Sequence, residues 1–269
     1  NGDRMFLAIP FPQIDPVLIS IGPIAVRWYA LAYVVGLVVG WRLLRRRALM
    51  SSSRITVDLI DDFLIWGTLG VIFGGRLGYV FFYNLQYFLA NPLEIFATWQ
   101  GGMSFHGGLL GVILAGVLFC RRNRLEPLEL GDMLSCVAPI GLFFGRIANF
   151  VNGELYGRVT DVSWGVIFPS GGPYSRHPSQ LYEAVLEGVV LFFVLNLMRR
   201  SERIRRNRGV ITGTFIAGYA LARLIAELYR QPDSHIGFLT LGSTMGQWLS
   251  IPMLIIGVGM IIWASRQMD

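Results

Sequence analysis

Apolar residues run along this chain in long blocks separated by short polar stretches. A membrane-spanning helix needs roughly 20 mostly apolar residues. The blocks predict an all-α polytopic membrane protein with about seven transmembrane helices, at approximately 17–43, 58–83, 107–121, 131–151, 181–198, 209–229 and 247–264. The block beginning at Val17 is too long for a signal-peptide core, and no small-residue cleavage site follows it, so it reads as a retained span. The chain reads as a single integral membrane domain over 1–269, with Asn1 to Arg4 a remnant ahead of a natural initiator at Met5.

Three connecting segments, about 84–106, 152–180 and 231–246, are rich in Gly and Pro and predict structured loops with short helices or strands. They contain only Arg158 and Arg176 as basic residues. The other connections and the end of the chain hold 15 of the 23 arginines, in clusters such as Arg45-Arg46-Arg47 and Arg199-Arg200. Basic residues mark the cytoplasmic side, which predicts an N-terminus outside and a C-terminus in the cytoplasm. Trp41 inside, and Tyr83, Tyr87 and Trp99 outside, read as interfacial aromatics.

Composition agrees. Hydrophobic residues make up 54% of the 269 residues and charged residues only 15%, with a mean hydropathy of +0.54. A soluble domain carries roughly 25% charged residues. The net charge of +6 comes entirely from arginine, and its clustering between apolar blocks argues for membrane topology rather than nucleic-acid binding. Cys120 and Cys136 have neither zinc nor redox spacing and read as apolar filler. No His or carboxylate cluster has metal-ligand spacing, so neither metal nor cofactor is expected.

The charges inside the spans carry the chemistry. A charged residue at the bilayer centre costs at least about 2.5 kcal/mol on insertion scales. Yet Arg27, Arg76, Arg146, Glu183, Glu187, Arg223, Glu227 and Arg230 all fall within or at the edges of apolar blocks, with Tyr29, Asn149 and Asn152. Given the alternating span directions, each falls in the outer half of the bilayer. A transport pathway would leave polar groups at several depths. A one-sided cluster fits a headgroup site open to the outer leaflet. Arg146 and Asn149 share a helix face, as do Arg223, Glu227 and Arg230. Two guanidinium forks facing one cavity suit a phosphate, and such a site calls for more positive charge than the local acids cancel. Glu227 is expected to orient and partly neutralise Arg223.

Competing readings remain at this point. Glu183 and Glu187 read as ion pairs holding helices together, and Arg76 fits that role as well as a functional one. Gly74, Gly75 and Gly78 read as helix-packing contacts. His106, between Gly101-Gly102 and Gly107-Gly108, is placed at the outer end of the third span, either as a structural residue or as a proton acceptor. His177 reads as ordering a loop or capping the fifth span, and His235 as a loop residue. A lipid-headgroup enzyme and an anionic-phospholipid transporter or flippase both fit these residues. An intramembrane protease fits less well, with no Gly-x-Ser-x-Gly motif and no paired intramembrane aspartates.

Gly145-Arg146-Ile147-Ala148-Asn149-Phe150-Val151-Asn152-Gly153-Glu154-Leu155-Tyr156-Gly157 resembles the signature of the prolipoprotein diacylglyceryl transferases. Gly101 to Gly108, Arg176 to Glu183, Arg223 to Asp233 and the pair Trp28-Tyr29 resemble further motifs of that family, and the likeness runs from about Phe11 to Trp263. The resemblance implies an enzyme of the bacterial inner membrane. It would move the diacylglyceryl group of phosphatidylglycerol onto the lipobox cysteine of a prolipoprotein, forming a thioether and releasing glycerol 1-phosphate. It implies catalytic roles for His106, Arg146 and Arg223, and substrate-binding roles for Tyr29, Asn149, Glu154, Gly157, Glu227 and Arg230. The partners implied are phosphatidylglycerol, prolipoprotein signal peptides and membrane lipids, with no nucleic acid, and the enzyme is expected to act as a monomer.

Overall fold

The computed structural model describes residues 9–12, 14–15, 17–22, 24–50, 54–232 and 237–266. Asp233 and His235 lie outside the described residues, as do Asn1 to Ala8.

Strand β1 (Ile9–Pro10) and a hairpin of β2 (Val17–Ile21) and β3 (Ile24–Arg27) precede helix α1 (Trp28–Leu49). The first predicted span is corrected here, because residues 17–27 form this hairpin and the helix begins only at Trp28. The reason is local. The stretch is rich in β-branched residues, and Gly22-Pro23 is a turn dipeptide; Gly22 sits at φ 59°. The chain continues through α2 (Val57–Tyr83), α3 (Leu85–Ala90), short 3₁₀ turns at Pro92–Phe96 and Thr98–Gln100, and α4 (Phe105–Asn123). Next come α5 (Pro127–Ser135) and α6 (Ala138–Val151), bent by 43°. That bend breaks the predicted fourth span at Cys136-Val137. Pro139 supplies no N–H and its ring crowds the carbonyl four residues back, at Ser135. After β4 (Val166–Ile167) a continuous helical run, Ser179–Met198, consists of α7 (Ser179–Glu183), a wide π-helical turn (Ala184–Val190) and α8 (Leu191–Met198). Helices α9 (Glu202–Arg206), α10 (Val210–Glu227) and α11 (Met245–Ser265) complete the chain.

Among the described residues four helical runs are long and apolar enough to cross a membrane: α4, Ser179–Met198, α10 and α11. The bent α5–α6 pair makes a fifth. Helices α1 and α2 are 22 and 27 residues long and carry internal charges, Arg42 and Arg45 to Arg47 in one, Asp58, Asp61, Asp62 and Arg76 in the other.

The chain forms two compact units, one of residues 41–131 and one of residues 1–40 with 132–269. In the first, α2 lies against α4 along a seam of small residues. A methyl group on Gly70 would stand 2.7 Å from the carbonyl oxygen of Gly111, and one on Gly78 would stand 2.7 Å from the Cα of Gly107. Only glycine lets the two backbones approach so closely, which supports the packing reading of Gly74 and Gly78. Phe63 and Trp66 pack on Phe119 below the seam.

Arg76 is the polar anchor of this unit. Its guanidinium is buried and donates to the carbonyls of Glu94, Ile95, Ala97, Gly101 and Gly102, at 2.6–3.3 Å. The segment between α3 and α4 is thus wrapped around one cation. Arg76 is structural.

In the larger unit, Cys136, Leu191, Leu195 and Ile211 form a buried cluster joining α8 and α10 to the α5–α6 bend. Both cysteines are buried, and no disulfide joins them among the described residues. Gly213 and Gly257 bring α10 and α11 together, and Gly36 of α1 faces Gly141 of α6. The long connection after α6 folds over Phe168, which contacts Phe11, Phe150 and Tyr156, while β4 pairs in parallel with β1.

Candidate active site

Four helical segments of the larger unit bring polar groups to one place. Helices α6 and α10 contribute residues toward their C-terminal ends, the run Ser179–Met198 residues from its first turns, and α11 its N-cap. Arg146 comes from α6, Glu183 from α7, Glu187 from the π-helical turn, Arg223 and Glu227 from α10, Arg230 from just beyond it, and Thr244 from the cap of α11.

Glu183 is the hub. It is fully buried. Its Oε2 meets Nη1 of Arg146 at 2.7 Å, and its Oε1 accepts from Nη1 of Arg223 at 2.8 Å and Nη1 of Arg230 at 3.1 Å. Nε of Arg146 donates to Oε2 of Glu187 at 3.1 Å. Nη2 of Arg223 donates to Oε1 of Glu227, whose other oxygen accepts from the Thr244 hydroxyl at 2.7 Å. A methyl group at Gly246 would overlap the Glu227 carboxylate, so that glycine leaves room for it.

Arg146 and Arg223 therefore do face a common place, and Glu227 does orient Arg223. The expected surplus of positive charge is absent from the directly paired set, where three carboxylates match three guanidiniums. Ionised side chains buried in an apolar medium are tolerated only when paired and hydrogen-bonded, and that favours such balance.

The signature loop after α6 is tied to the same cluster. Glu154 accepts from Nδ2 of Asn149 at 2.8 Å and of Asn152 at 3.3 Å. Gln180 and Ser179, in the first turn of α7, donate to the carbonyls of Glu154 and Leu155. Leu155 sits at φ 58°, a conformation that costs a side-chain-bearing residue energy and so depends on these bonds. Gly157 is a point of close approach. Its N–H donates to the carbonyl of His177, and a methyl group there would stand 2.6 Å from the carbonyls of both His177 and Tyr229. Arg158 donates to the carbonyls of Glu227 and Arg230, a cation set at the C-terminal end of α10.

Tyr29, in the first turn of α1, has its hydroxyl 3.1 Å from that of Tyr33 and lies within electrostatic reach of Glu154 and Arg146. His106 belongs to the smaller unit. It is exposed in the first turn of α4, a helix capped by Ser104, whose hydroxyl accepts from the N–H of Gly107 at 3.2 Å. His177 sits in the connection between α6 and α7. Its Nδ1 is 3.0 Å from the hydroxyl of Tyr182, which also accepts from Nε1 of Trp164 at 2.7 Å. Burial pushes the His177 imidazole pKa below its ordinary value, partly opposed by Asp161.

Sequence reasoning treated Glu183 and Glu187 as helix-holding pairs and did not single out Arg158 or Thr244. The available signal was spacing: Glu183 and Glu187 are four apart and share a face, opposite arginines that need anions. No group of His, Cys, Asp or Glu able to hold a metal ion occurs among the described residues.

The sequence profile of prolipoprotein diacylglyceryl transferase matches residues 16–263. The chain is 58% identical to a phosphatidylglycerol–prolipoprotein diacylglyceryl transferase of Rhodospirillum rubrum, over 97% of this chain and 96% of that one. It is 55% identical to the protein of the same name from Paramagnetospirillum magneticum, over 98% of each, and 54% identical to that of Azospirillum brasilense, over 97% and 98%. With a family profile matched over nearly its whole length, and arginines, amides and glycines of the signature gathered at one site, the chain belongs to the prolipoprotein diacylglyceryl transferase family.

Proposed function

We propose that the buried arginine cluster is where this membrane transferase, which moves a diacylglyceryl group from phosphatidylglycerol to a prolipoprotein, holds the lipid phosphate. The activity follows from family membership and from relatives more than half identical over nearly full length. The observation that carries the site is the meeting of Arg146 and Arg223 on the two oxygens of one carboxylate, Glu183. That puts two forked donors within a phosphate's width of each other.

The acceptor is the lipobox cysteine thiol. Its proton is assigned to His106, as the base or part of a relay, with water or an arginine-bound carboxylate as the alternative base. The thiolate sulfur then bonds to the glyceryl carbon that carries the phosphate, the carbon–oxygen bond to phosphate breaks, and its electron pair leaves with glycerol 1-phosphate. A thiol with an ordinary pKa near 8.5 needs a base near neutral pH. Negative charge growing on the departing phosphate is met by Arg146 and Arg223. Glu227 and Thr244 orient Arg223, Asn149 and Glu154 shape the signature loop, Tyr29 and Arg230 border the headgroup, and Gly157 keeps the loop against α10. No cofactor is required.

The membrane arrangement we favour has seven spans: α1, α2, α4, α5 with α6, α7 with α8, α10 and α11. The N-terminus is outside, the C-terminus is cytoplasmic, and the site opens toward the outer leaflet of the bacterial inner membrane. The support is the arginine distribution and the grouping of the site at one end of alternating helices. One chain supplies every assigned group and acts as a monomer.

The test is a transfer assay with purified protein, phosphatidylglycerol and a lipobox peptide. We expect one diacylglyceryl mass added to the cysteine peptide and none to its serine counterpart. Arg146→Ala should lower turnover by about 10²–10³, the range for removing a donor to a developing anion. His106→Gln should also lower turnover. Full turnover by a folded Arg146→Ala protein would overturn the phosphate assignment.

A further inference from the structure

We infer that Glu183 and Glu187 are positioning residues of the transfer reaction: they keep the arginine cluster electrically balanced, so the lipid phosphate binds in competition with carboxylates rather than by filling a ready positive pocket. This rests on the arginine assignment above.

Both carboxylates are fully buried. They grip Arg146 from two sides, Glu183 through Nη1 and Glu187 through Nε. No hydrogen bond from Nη2 of Arg146 occurs among the described residues, so that edge is the one free to meet a phosphate. Arg223 is different, because both of its Nη atoms are already committed, one to Glu183 and one to Glu227. A phosphate that approaches the Arg223 fork therefore meets an edge on which Glu183 and Glu227 already sit, and it competes with their two negative charges for the same guanidinium.

The backbone is shaped for this grip. Glu187 lies inside the π-helical turn Ala184–Val190 that directly follows Glu183. Such wide turns are rare and collect at functional sites. Oε1 of Glu187 has no hydrogen-bond partner among the described residues although it is buried. A buried carboxylate oxygen left unmatched costs free energy, and it gives Arg146 a second acceptor when a phosphate competes with Glu183.

The consequence is catalytic. Phosphatidylglycerol brings one negative charge, whereas the departing glycerol 1-phosphate develops a second. A balanced cluster holds the first weakly and the second more strongly, which is differential binding of the transition state. It also lets the product leave. Removing one carboxylate charge should therefore tighten lipid and product binding while slowing turnover.

The experiment uses the full chain in nanodiscs of phosphatidylcholine with graded phosphatidylglycerol, a lipobox cysteine peptide, and the variants Glu183→Gln, Glu187→Gln and Glu183→Asp. For Glu183→Gln we expect KM for phosphatidylglycerol to fall, inhibition by glycerol 1-phosphate to strengthen, and the gain in Tm on adding phosphatidylglycerol to exceed the wild-type gain. We expect kcat to fall about tenfold or more, as small misplacements of reacting groups do. Glu187→Gln should move the same quantities less. Glu183→Asp restores the charge and should return KM toward wild type. A folded Glu183→Gln protein with unchanged kcat and KM, or one with raised KM and no larger lipid-dependent Tm gain, would show Glu183 to be merely a helix tie. If Glu183→Gln fails to fold, Glu187→Gln must show the signature, and its absence overturns the inference. Arg146→Ala separates the two readings. Normal turnover there sinks the phosphate assignment itself, while an inactive Arg146→Ala beside an unaltered Glu183→Gln sinks only this one.

Discussion

Asp132 and Thr212 stand 80 positions apart in sequence, yet one oxygen of Asp132 accepts both the backbone N–H of Thr212 at 2.8 Å and its hydroxyl at 2.6 Å. The other oxygen accepts the N–H of Gly209 at 2.8 Å. Gly209 is the residue before α10 and has no side chain to cap it. A carboxylate from α5 thus caps the helix that carries Arg223 and Glu227, and its charge suits the N-terminal end of the helix dipole. Asp132→Ala should lower stability by about 2 kcal/mol, at the upper end of cap losses because the site is buried. Thermal unfolding in detergent checks this, and turnover per folded molecule should change little, since the cap lies at the opposite end of α10 from Arg223.

Arg76→Lys tests the clamp on the segment between α3 and α4. Lysine carries the same charge but three donors on a single nitrogen, which cannot reach five carbonyls spread from Glu94 to Gly102. The loss should be about 3 kcal/mol, the scale for one or two hydrogen bonds to a charged group. Hydrogen exchange of residues 94–102 should quicken while α10 keeps its protection. Unchanged exchange there would refute the clamp.

Gly74→Ala probes the seam between α2 and α4. A methyl group at Gly74 would stand 2.7 Å from the Cα of Gly111, and backbone does not yield cheaply. Overpacking of this kind costs about 1–3 kcal/mol. The Tm should fall, and Gly22→Ala, where nothing lies within 4 Å but φ is positive, should act only through local strain in the hairpin.

His177 makes the fold sensitive to acid. Its folded-state pKa is depressed by burial relative to the unfolded value near 6.5. A depressed histidine contributes stability that is present above the unfolded pKa and is lost as pH falls through it toward the folded pKa. The wild-type Tm should therefore drop more steeply below pH 6.5 than that of His177→Gln, and the two should differ least in acid. The side chain is only half-buried and Asp161 opposes the shift, so the effect should be modest.

The helices themselves were legible because burial in lipid demands long apolar blocks with every backbone group bonded internally. Six of the seven predicted blocks match described helices within a few residues, the fourth with a bend at Pro139 that only the backbone shows. The first block misled, because β-branched apolar residues at 17–27 fit a strand as well as a span, and apolarity alone does not choose between them. The resemblance at Gly145 to Gly157 named the family and pointed to Arg146, and that at Arg223 to Asp233 pointed to Arg223.

The sequence by itself determined that this chain lives in a membrane, that its charges gather where spans end, and which transferase family it belongs to, since these depend on composition and on residues close together in the chain. What only the tertiary structure decided was the pairing. Arg76 proved to be a backbone anchor, whereas Arg146, Arg223 and Arg230 converge on Glu183. A buried charge must find its partner wherever the fold brings one, and the separation between Arg146 and Glu183, or between Asp132 and Thr212, leaves no trace in local spacing.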